Sequence, residues 1–478
     1  MNNTKLVSLL KSLTGSELRK LQQFVSSPFA NTNENVVSLL QHISKHHPAF
    51  ESPKMEKQKV FKAIFPAETF NDGRIRYLSS ELLTVAENFL VYTSYDENPV
   101  EKQNRLLKEL NKRGLDAIFE MRKKELKSKL EKMPVNSASL LESFKLEETE
   151  MFYYQRTLSG RQDKQIRSFN YADVMKALSG YYLEYALKMY CSLLGQQDSY
   201  NKKIPFKTLG NTLESLQQDM GEQPEIIQLY AGCVRLLKTK EPQHYYSIRD
   251  QLLASTTKSI SAEDQRILMS MITNFCVQQY RGGNELFLHE LNNLVKITLE
   301  RKLFHPEKKM SHVQFANVVL IGIKTNDTNW LDDFINKYSV FLPDDVREST
   351  TAFAKASLAY YRKDYKAALR YLRNAKYESP FRQLAIKNLL LKIYFDMDET
   401  ELIISLIDSY LHILKDAEFI DADSKKTYSG FIRIYKSLYR VKQNKDFKLL
   451  KTILASLPST KYLAEYSWLI QKATELDQ

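Results

Sequence analysis

Ala359-Tyr360-Tyr361-Arg362-Lys363-Asp364-Tyr365-Lys366-Ala367-Ala368-Leu369-Arg370-Tyr371-Leu372-Arg373-Asn374-Ala375-Lys376-Tyr377-Glu378-Ser379-Pro380 is the stretch that decides the fold. A helical run enters from the N-terminal side, breaks at the polar Arg362-Lys363-Asp364, and resumes with Ala368, Leu372 and Ala375 spaced to fall on one face. The small alanines let two helices approach closely, while Tyr365 and Leu372 fill the space between them. Pro380 has no amide proton to continue a helix and is expected to end the second one. The stretch therefore reads as a helical hairpin.

The same punctuation recurs on both sides of it. Polar or glycine-containing turn signals stand at Lys240-Glu241-Pro242, Arg281-Gly282-Gly283-Asn284, Thr325-Asn326-Asp327, Asp396-Met397-Asp398-Glu399 and Gln443-Asn444-Lys445. Their intervals, roughly 34 to 47 residues, suit paired-helix repeats in which each hairpin buries its apolar face against its neighbours. The unit at 347–380 resembles a tetratricopeptide repeat in the spacing of Tyr365, Ala368, Leu372, Ala375 and Pro380. Its first helix departs from that motif around Ala359, and its turn is one residue short, so the array is tetratricopeptide-like. The expected fold is all-α: a helical N-terminal region followed by an α-solenoid of tetratricopeptide-like hairpins.

Upstream, Leu6, Leu9, Leu10 and Leu13 form a first apolar stripe, and Thr14-Gly15-Ser16-Glu17 offers a cap before Leu18, Leu21 and Phe24. Ser27-Pro28-Phe29 stops that helix. Asn31-Thr32-Asn33 caps the next, and Asn71-Asp72 opens a long one running to Leu90. Ser94 to Pro99 reads as a linker, and breaks are expected near Gly114 and at Met133 to Asn136. These signals divide the chain into an N-terminal helical domain at 1–97, a long-helix connecting region at 98–204 and the repeat array at 205–478. The opening Leu13-Thr14-Gly15-Ser16-Glu17-Leu18, Phe24 to Phe29, Asn33 and His46-His47-Pro48-Ala49-Phe50 resemble the start of a family of uncharacterised helical proteins from Bacteroidota. Leu389 to Tyr410 resembles that family's C-terminal signature. The resemblance implies a helical, repeat-containing fold and carries no activity, cofactor or binding residues.

Composition agrees with helices joined by short links, because the chain's 478 residues include only 13 Gly and 13 Pro. Its 43% hydrophobic and 26% charged content is that of a folded chain. Cys191, Cys233 and Cys276 are far apart and sit in apolar helical runs, which reads as buried thiols in a reducing compartment. The first eleven residues lack the apolar core and cleavage site of a signal peptide. Phe315 to Ile323, the most apolar later stretch, is about half a bilayer span. A cytoplasmic protein without membrane insertion is the expectation.

Catalytic constellations are not evident. Gly282-Gly283 is the one adjacent glycine pair, and a hairpin turn explains it better than a phosphate cradle. His42 and His46 have the spacing of a shared cation site, with His47 beside them. The absence of nearby cysteine ligands favours a helix end where histidine meets the terminal carbonyls. Asp421-Ala422-Asp423 lacks the rest of a calcium loop and reads as a cap before Lys425. Glu147-Glu148 and Asp332-Asp333 read as solvated acids. The chain is accordingly expected to be non-enzymatic, with no cofactor and no metal.

The net charge of +12 raises the question of where the cations sit. Arg122, Lys123, Lys124, Lys127, Lys129 and Lys132 share a helix with Glu120, Glu125 and Glu131, and the Glu120–Lys124 and Glu125–Lys129 spacings favour pairing along a solvated face. Lys425 to Lys451 differs, holding nine cations against the single Asp446. There, Phe431, Ile434, Tyr435, Leu438 and Val441 form an apolar face, Arg433, Lys436 and Arg440 another, and Tyr428, Tyr435 and Tyr439 interleave. Three readings stand: a solvated outer face of a terminal repeat, a site for an acidic helix or tail of a protein partner, or a nucleic-acid or ribosome contact. The solvated face comes first for the stripe taken by itself. For function, a scaffold or adaptor binding a protein partner leads and the nucleic-acid or ribosome contact is the alternative, with Tyr360, Tyr361, Arg370, Arg373, Arg433, Lys436 and Arg440 as the binding candidates.

Overall fold

A computed structural model describes residues 4–158, 170–200, 223–255, 259–303, 309–376, 379–416, 421–460 and 463–478. The described residues form 22 α-helices and contain no strand. They fall into two compact units, the first reaching Ala186 and also including the start of a later helix through Ile227, the second built from Leu187 onward and from Gln228 to Gln478. The domain boundary read at 204/205 lies outside the described residues.

Helices α1 (Lys5–Ser12), α2 (Gly15–Val25), α3 (Glu34–Ser44), α4 (Lys57–Ile64) and α5 (Asp72–Asp96) close around one core of Leu6, Leu10, Leu21, Leu40, Phe61, Leu82 and Phe89. Each such buried side chain contributes on the order of 2 kcal/mol relative to exposure. The expected caps are present. Thr14 accepts from the Glu17 amide at 3.2 Å while the Glu17 carboxylate accepts from the Thr14 amide at 2.6 Å, and Asn33 and Asn71 cap α3 and α5.

The expected linker at 94–99 is shorter than its polarity suggested. Helix α5 continues through Asp96, and Pro99 already opens α6 (Pro99–Lys112), where a missing amide proton costs nothing. Gly114, with φ of 67°, separates α6 from α7 (Asp116–Leu130), and α8 (Ser137–Leu158) follows. Leu107, Phe119, Leu126, Leu146 and Tyr153 give these three helices a core of their own. The Phe119 and Tyr153 rings stack at 4.1 Å. Helix α9 (Tyr171–Tyr200) completes the series.

The second unit is a run of helical hairpins. Helices α10 (Glu225–Thr239) and α11 (Pro242–Ala254) form the first pair, and α12 (Ala262–Arg281) and α13 (Leu286–Glu300) the second. Next come α14 (His312–Lys324) with α15 (Thr328–Tyr338), and α16 (Asp344–Tyr361) with α17 (Tyr365–Leu372). The last pairs are α18 (Pro380–Met397) with α19 (Thr400–Asp416), and α20 (Ala422–Asn444) with α21 (Phe447–Ser456), before a final α22 (Tyr466–Asp477). All six turns stand where the sequence signals them. Each holds one residue of left-handed backbone: Lys240, Gly283, Asn326, Lys363, Asp398 or Lys445. At four of them an amide two or three residues past the helix reaches back five residues, as in Asn284 to Gln279, Asp327 to Gly322, Asp364 to Ala359 and Glu399 to Tyr394.

In the hairpin quoted first, Ala352, Ala356, Ala359, Ala368, Leu372 and Ala375 pack with Leu389 and Ile393 of α18. Pro380 does not end α17, which stops at Leu372; it sits in the first turn of α18. No helix among the described residues is long and apolar enough to cross a membrane.

Candidate interaction surface

Helix α20 begins where Asp421 accepts from the Ser424 amide at 2.8 Å, confirming this segment as a cap. Its inward face is aromatic and aliphatic. Phe431, Ile434, Leu438 and Val441 are buried, as are Tyr435 and Tyr439. Tyr435 donates to the Leu391 carbonyl at 2.8 Å and stacks on Trp468 at 5.8 Å, and the Tyr439 hydroxyl meets Thr400 at 2.7 Å. Tyr428 is half-buried near Phe381. The tyrosines that interleave with the charge in sequence thus belong to the packing.

Helical geometry carries Arg433, Lys436 and Arg440 to the opposite side, where all three are exposed. None has an ion-pair partner among the described residues. Across the turn at Lys445, Asp446 spends its carboxylate on the α21 amide of Leu449, at 3.0 Å, and Lys448 and Lys451 are again exposed. One cation of the stretch is committed to the fold. Lys442 donates to the Phe395 carbonyl at 2.6 Å, lies 2.7 Å from Asp398 and sits over the Phe395 ring, closing the end of α18.

The other candidates lie on the hairpin of α16 and α17 and separate from one another. Tyr360 points inward: its hydroxyl donates to Asp396 at 2.9 Å and accepts from the Trp468 indole at 2.9 Å. Burial, with the Asp396 charge beside it, holds its phenol well above the usual range. Lys472 reaches the same carboxylate at 2.8 Å and also pairs with Glu475, tying α22 to α18. Tyr360 thus packs inward, with its hydroxyl engaged on both sides within the chain. Tyr361 is exposed, its hydroxyl donating to Asn326 at 3.3 Å; Arg370 is exposed beside the Tyr371 ring, and Arg373 is exposed at the end of α17. No hydrogen bond or ion pair among the described residues joins these side chains to the α20 stripe.

The titratable groups that could suggest chemistry are taken up by structure. Asp264 is buried and accepts from Ser261 at 2.6 Å, Tyr230 at 2.7 Å and Lys188 at 2.8 Å. Burial pushes the Cys233 and Cys276 thiols up to about 12, and Cys191 is likewise raised, so all three are poor nucleophiles. His47 is held by the Leu13 carbonyl at 2.8 Å, while the His42 and His46 rings meet edge to face. Asp332 pairs with Arg362 at 2.5 Å. Glu147 is not the solvated acid its sequence suggested. It is half-buried, desolvation and the Glu150 charge raise its pKa, and Asn170 donates to it at 2.7 Å.

Asp396 reads in the sequence only as part of a turn, and Trp468, Lys472 and Glu475 carry no reading there. The available signal was that Trp468 is one of only two tryptophans in the chain. Comparison of the chain with family models, curated proteins and solved structures finds no match.

Proposed function

We propose that this chain is a non-catalytic, cytoplasmic scaffold or adaptor that binds an acidic helix or tail of a protein partner through the outward face of α20 and α21. One observation carries the reading. Arg433, Lys436 and Arg440 share a face, are exposed and have no acid partner among the described residues, whereas Lys442 on the same helix is fully engaged. Three like charges held together repel one another, and a complementary carboxylate-bearing surface relieves that repulsion. Each exposed pair contributes no more than about 1 kcal/mol, so the stripe would chiefly steer and orient the partner.

The inward tyrosines favour a protein over a nucleic acid, since no ring of Tyr435 or Tyr439 is presented for base stacking. Tyr361, Arg370 and Arg373 extend the same proposal to the repeat hairpin. The likeness of both ends of the chain to the Bacteroidota helical family is compatible with it and adds no residue roles.

The test is affinity capture from the native cell, with and without nuclease, comparing the wild type with an Arg433→Glu/Lys436→Glu/Arg440→Glu variant of unchanged circular dichroism. Capture of acidic proteins that survives nuclease and is lost in the variant is the expected result. Capture abolished by nuclease would replace the protein partner with nucleic acid. Capture indifferent to the variant would leave the stripe as a solvated face.

A further inference from the structure

We propose that the face of α16, α18 and α20 beneath α22 is a seat for an amphipathic helix. Within the chain α22 holds it, and a helix of another protein with the same order of acid, aromatic and cation takes it in place of α22. The seat is on the inward side of α20, apart from Arg433, Lys436 and Arg440. Its floor is aromatic. Trp468 of α22 stacks on Tyr435 at 5.8 Å, meets Phe395 edge to face at 5.2 Å and lies 6.4 Å from Phe431. Three hairpins contribute, because the Trp468 indole also donates to Tyr360 of α16.

The rim is polar and has a direction. At one end Lys392 pairs with Glu465, and Asn388 donates to the same carboxylate at 3.4 Å. At the other end Asp396 takes Lys472 at 2.8 Å. A cation on α18 thus meets an acid at the entry to α22. One turn further along α18 an acid meets a cation two turns further along the incoming helix. A helix laid the opposite way would set like charges against each other.

Floor and rim are placed by contacts of their own. Tyr435 donates to the Leu391 carbonyl at 2.8 Å, and Phe395 meets Tyr435 edge to face at 5.6 Å. Tyr410 donates to Asn388 at 2.8 Å, and Tyr360 to Asp396 at 2.9 Å. The seat is therefore pre-formed. Helix α22 is the opposite case. It has 12 residues, of which Trp468, Leu469 and Ala473 are buried, while Ser467, Ile470, Gln471 and Thr474 face outward. A helix of this length is marginal in water by itself, so its order comes from the seat. A short element held on one face opens before the hairpins do.

The chemistry of the seat identifies what can replace α22. The Lys392 and Asp396 side chains are only 16% and 11% exposed, and a purely apolar helix would leave both charges covered and unpaired. A helix with an acid, an aromatic residue three positions on and a cation four beyond that satisfies them, as Glu465, Trp468 and Lys472 do.

Fluorescence anisotropy of a labelled peptide of residues 463–478, titrated with the full chain, tests this. The Trp468→Ala/Lys472→Ala variant keeps the floor and rim and loosens α22. It should bind the peptide at least about ten-fold more tightly than the wild type, whose own α22 competes at the high local concentration of a tethered ligand. A peptide carrying Trp468→Ala and Lys472→Glu should not bind. Absence of peptide binding by a variant of otherwise unchanged helicity overturns the proposal, and so does equal binding of the two peptides. Wild-type dimers that grow with concentration in sedimentation velocity, and that the variant cannot form, would give the seat to α22 of a second copy and overturn the foreign partner. Hydrogen exchange on the wild type keeps the test decisive if the variant unfolds. Amides of 466–477 should exchange at least about ten-fold faster than those of 431–441 in α20. Equal protection makes α22 a fixed part of the core and overturns a seat that changes its occupant.

Discussion

Helices α7 and α20 both carry runs of cations, and those cations do different things. On α7, Lys123 is drawn between Glu120 and Glu150, each at 3.0 Å, with its side chain only 11% exposed. Arg122 pairs with Glu125 at 2.8 Å and Lys129 donates to Gln103 at 3.0 Å. On α20, Arg433, Lys436 and Arg440 face outward with no such partners among the described residues. Composition already separates the two helices, because α7 carries Glu120 and Glu125 among its cations, and Glu150 of the neighbouring α8 completes the difference. A cation that closes a buried pair stabilises the fold by not being missing, and a cation left outside is available to something else.

The sharpest way to break this contrast is at Lys123. Lys123→Ala strands Glu150 in the core of α6 to α8 and should cost about 3 kcal/mol in urea denaturation of the full chain. A companion Lys123→Met/Glu150→Leu variant should recover most of that loss. A cost below about 0.5 kcal/mol would make α7 the solvated face its sequence suggested. The pair also has a pH signature. Burial works to lower the Lys123 pKa, but hydrogen bonds from its ammonium to Glu120 and Glu150 prevail and raise it above the usual lysine value. A raised folded-state pKa gives stability that is fully present below about pH 10.4, the unfolded lysine value. It is lost only as pH rises through the higher folded value. Alkaline denaturation of the wild type should therefore be steeper above that point than in the Lys123→Met/Glu150→Leu variant.

Tyr360 sharpens the contrast on the repeat hairpin. Tyr360→Phe leaves the Trp468 indole and one Asp396 oxygen without their partner and should cost about 1 to 2 kcal/mol. Its exposed neighbour Tyr361→Phe should cost less than about 0.5 kcal/mol in the same thermal melt. Equal costs would mean that Tyr360 is not the inward residue of the pair. The smallest effect belongs to the stripe. Replacing Arg433, Lys436 and Arg440 singly with Gln should change stability by no more than about 0.5 kcal/mol each. A larger loss would assign those cations to the fold.

The fold was largely legible because its signals are local. Thr14 with Glu17, Asn33, Asn71 and Asp421 act within three residues, and the six hairpin turns each needed only a short polar break. Two misreadings came from signatures with two meanings. A proline after a helix and a proline opening the next one look alike, so Pro380 and the shortened linker before Pro99 were misassigned. The candidate surface was half legible. The i, i+3, i+7 spacing of Arg433, Lys436 and Arg440 needs only one straight helix. Tyr360 instead answers to Asp396 and Trp468, 36 and 108 residues away, and Lys123 to Glu150, 27 residues away. Periodicity within one helix carries no information about such partners.

The proposal that the α20 cations await an acidic partner is tested most directly by fluorescence anisotropy. A labelled glutamate-rich helical peptide of about 20 residues, long enough to run along α20, is titrated with the full chain at low and physiological salt. A single-stranded RNA is titrated in parallel. Peptide binding that weakens with salt, disappears in Arg433→Glu/Lys436→Glu/Arg440→Glu and exceeds RNA binding is the expected result. Equal peptide binding by the wild type and the reversed variant, or RNA bound in preference to the peptide, would contradict it.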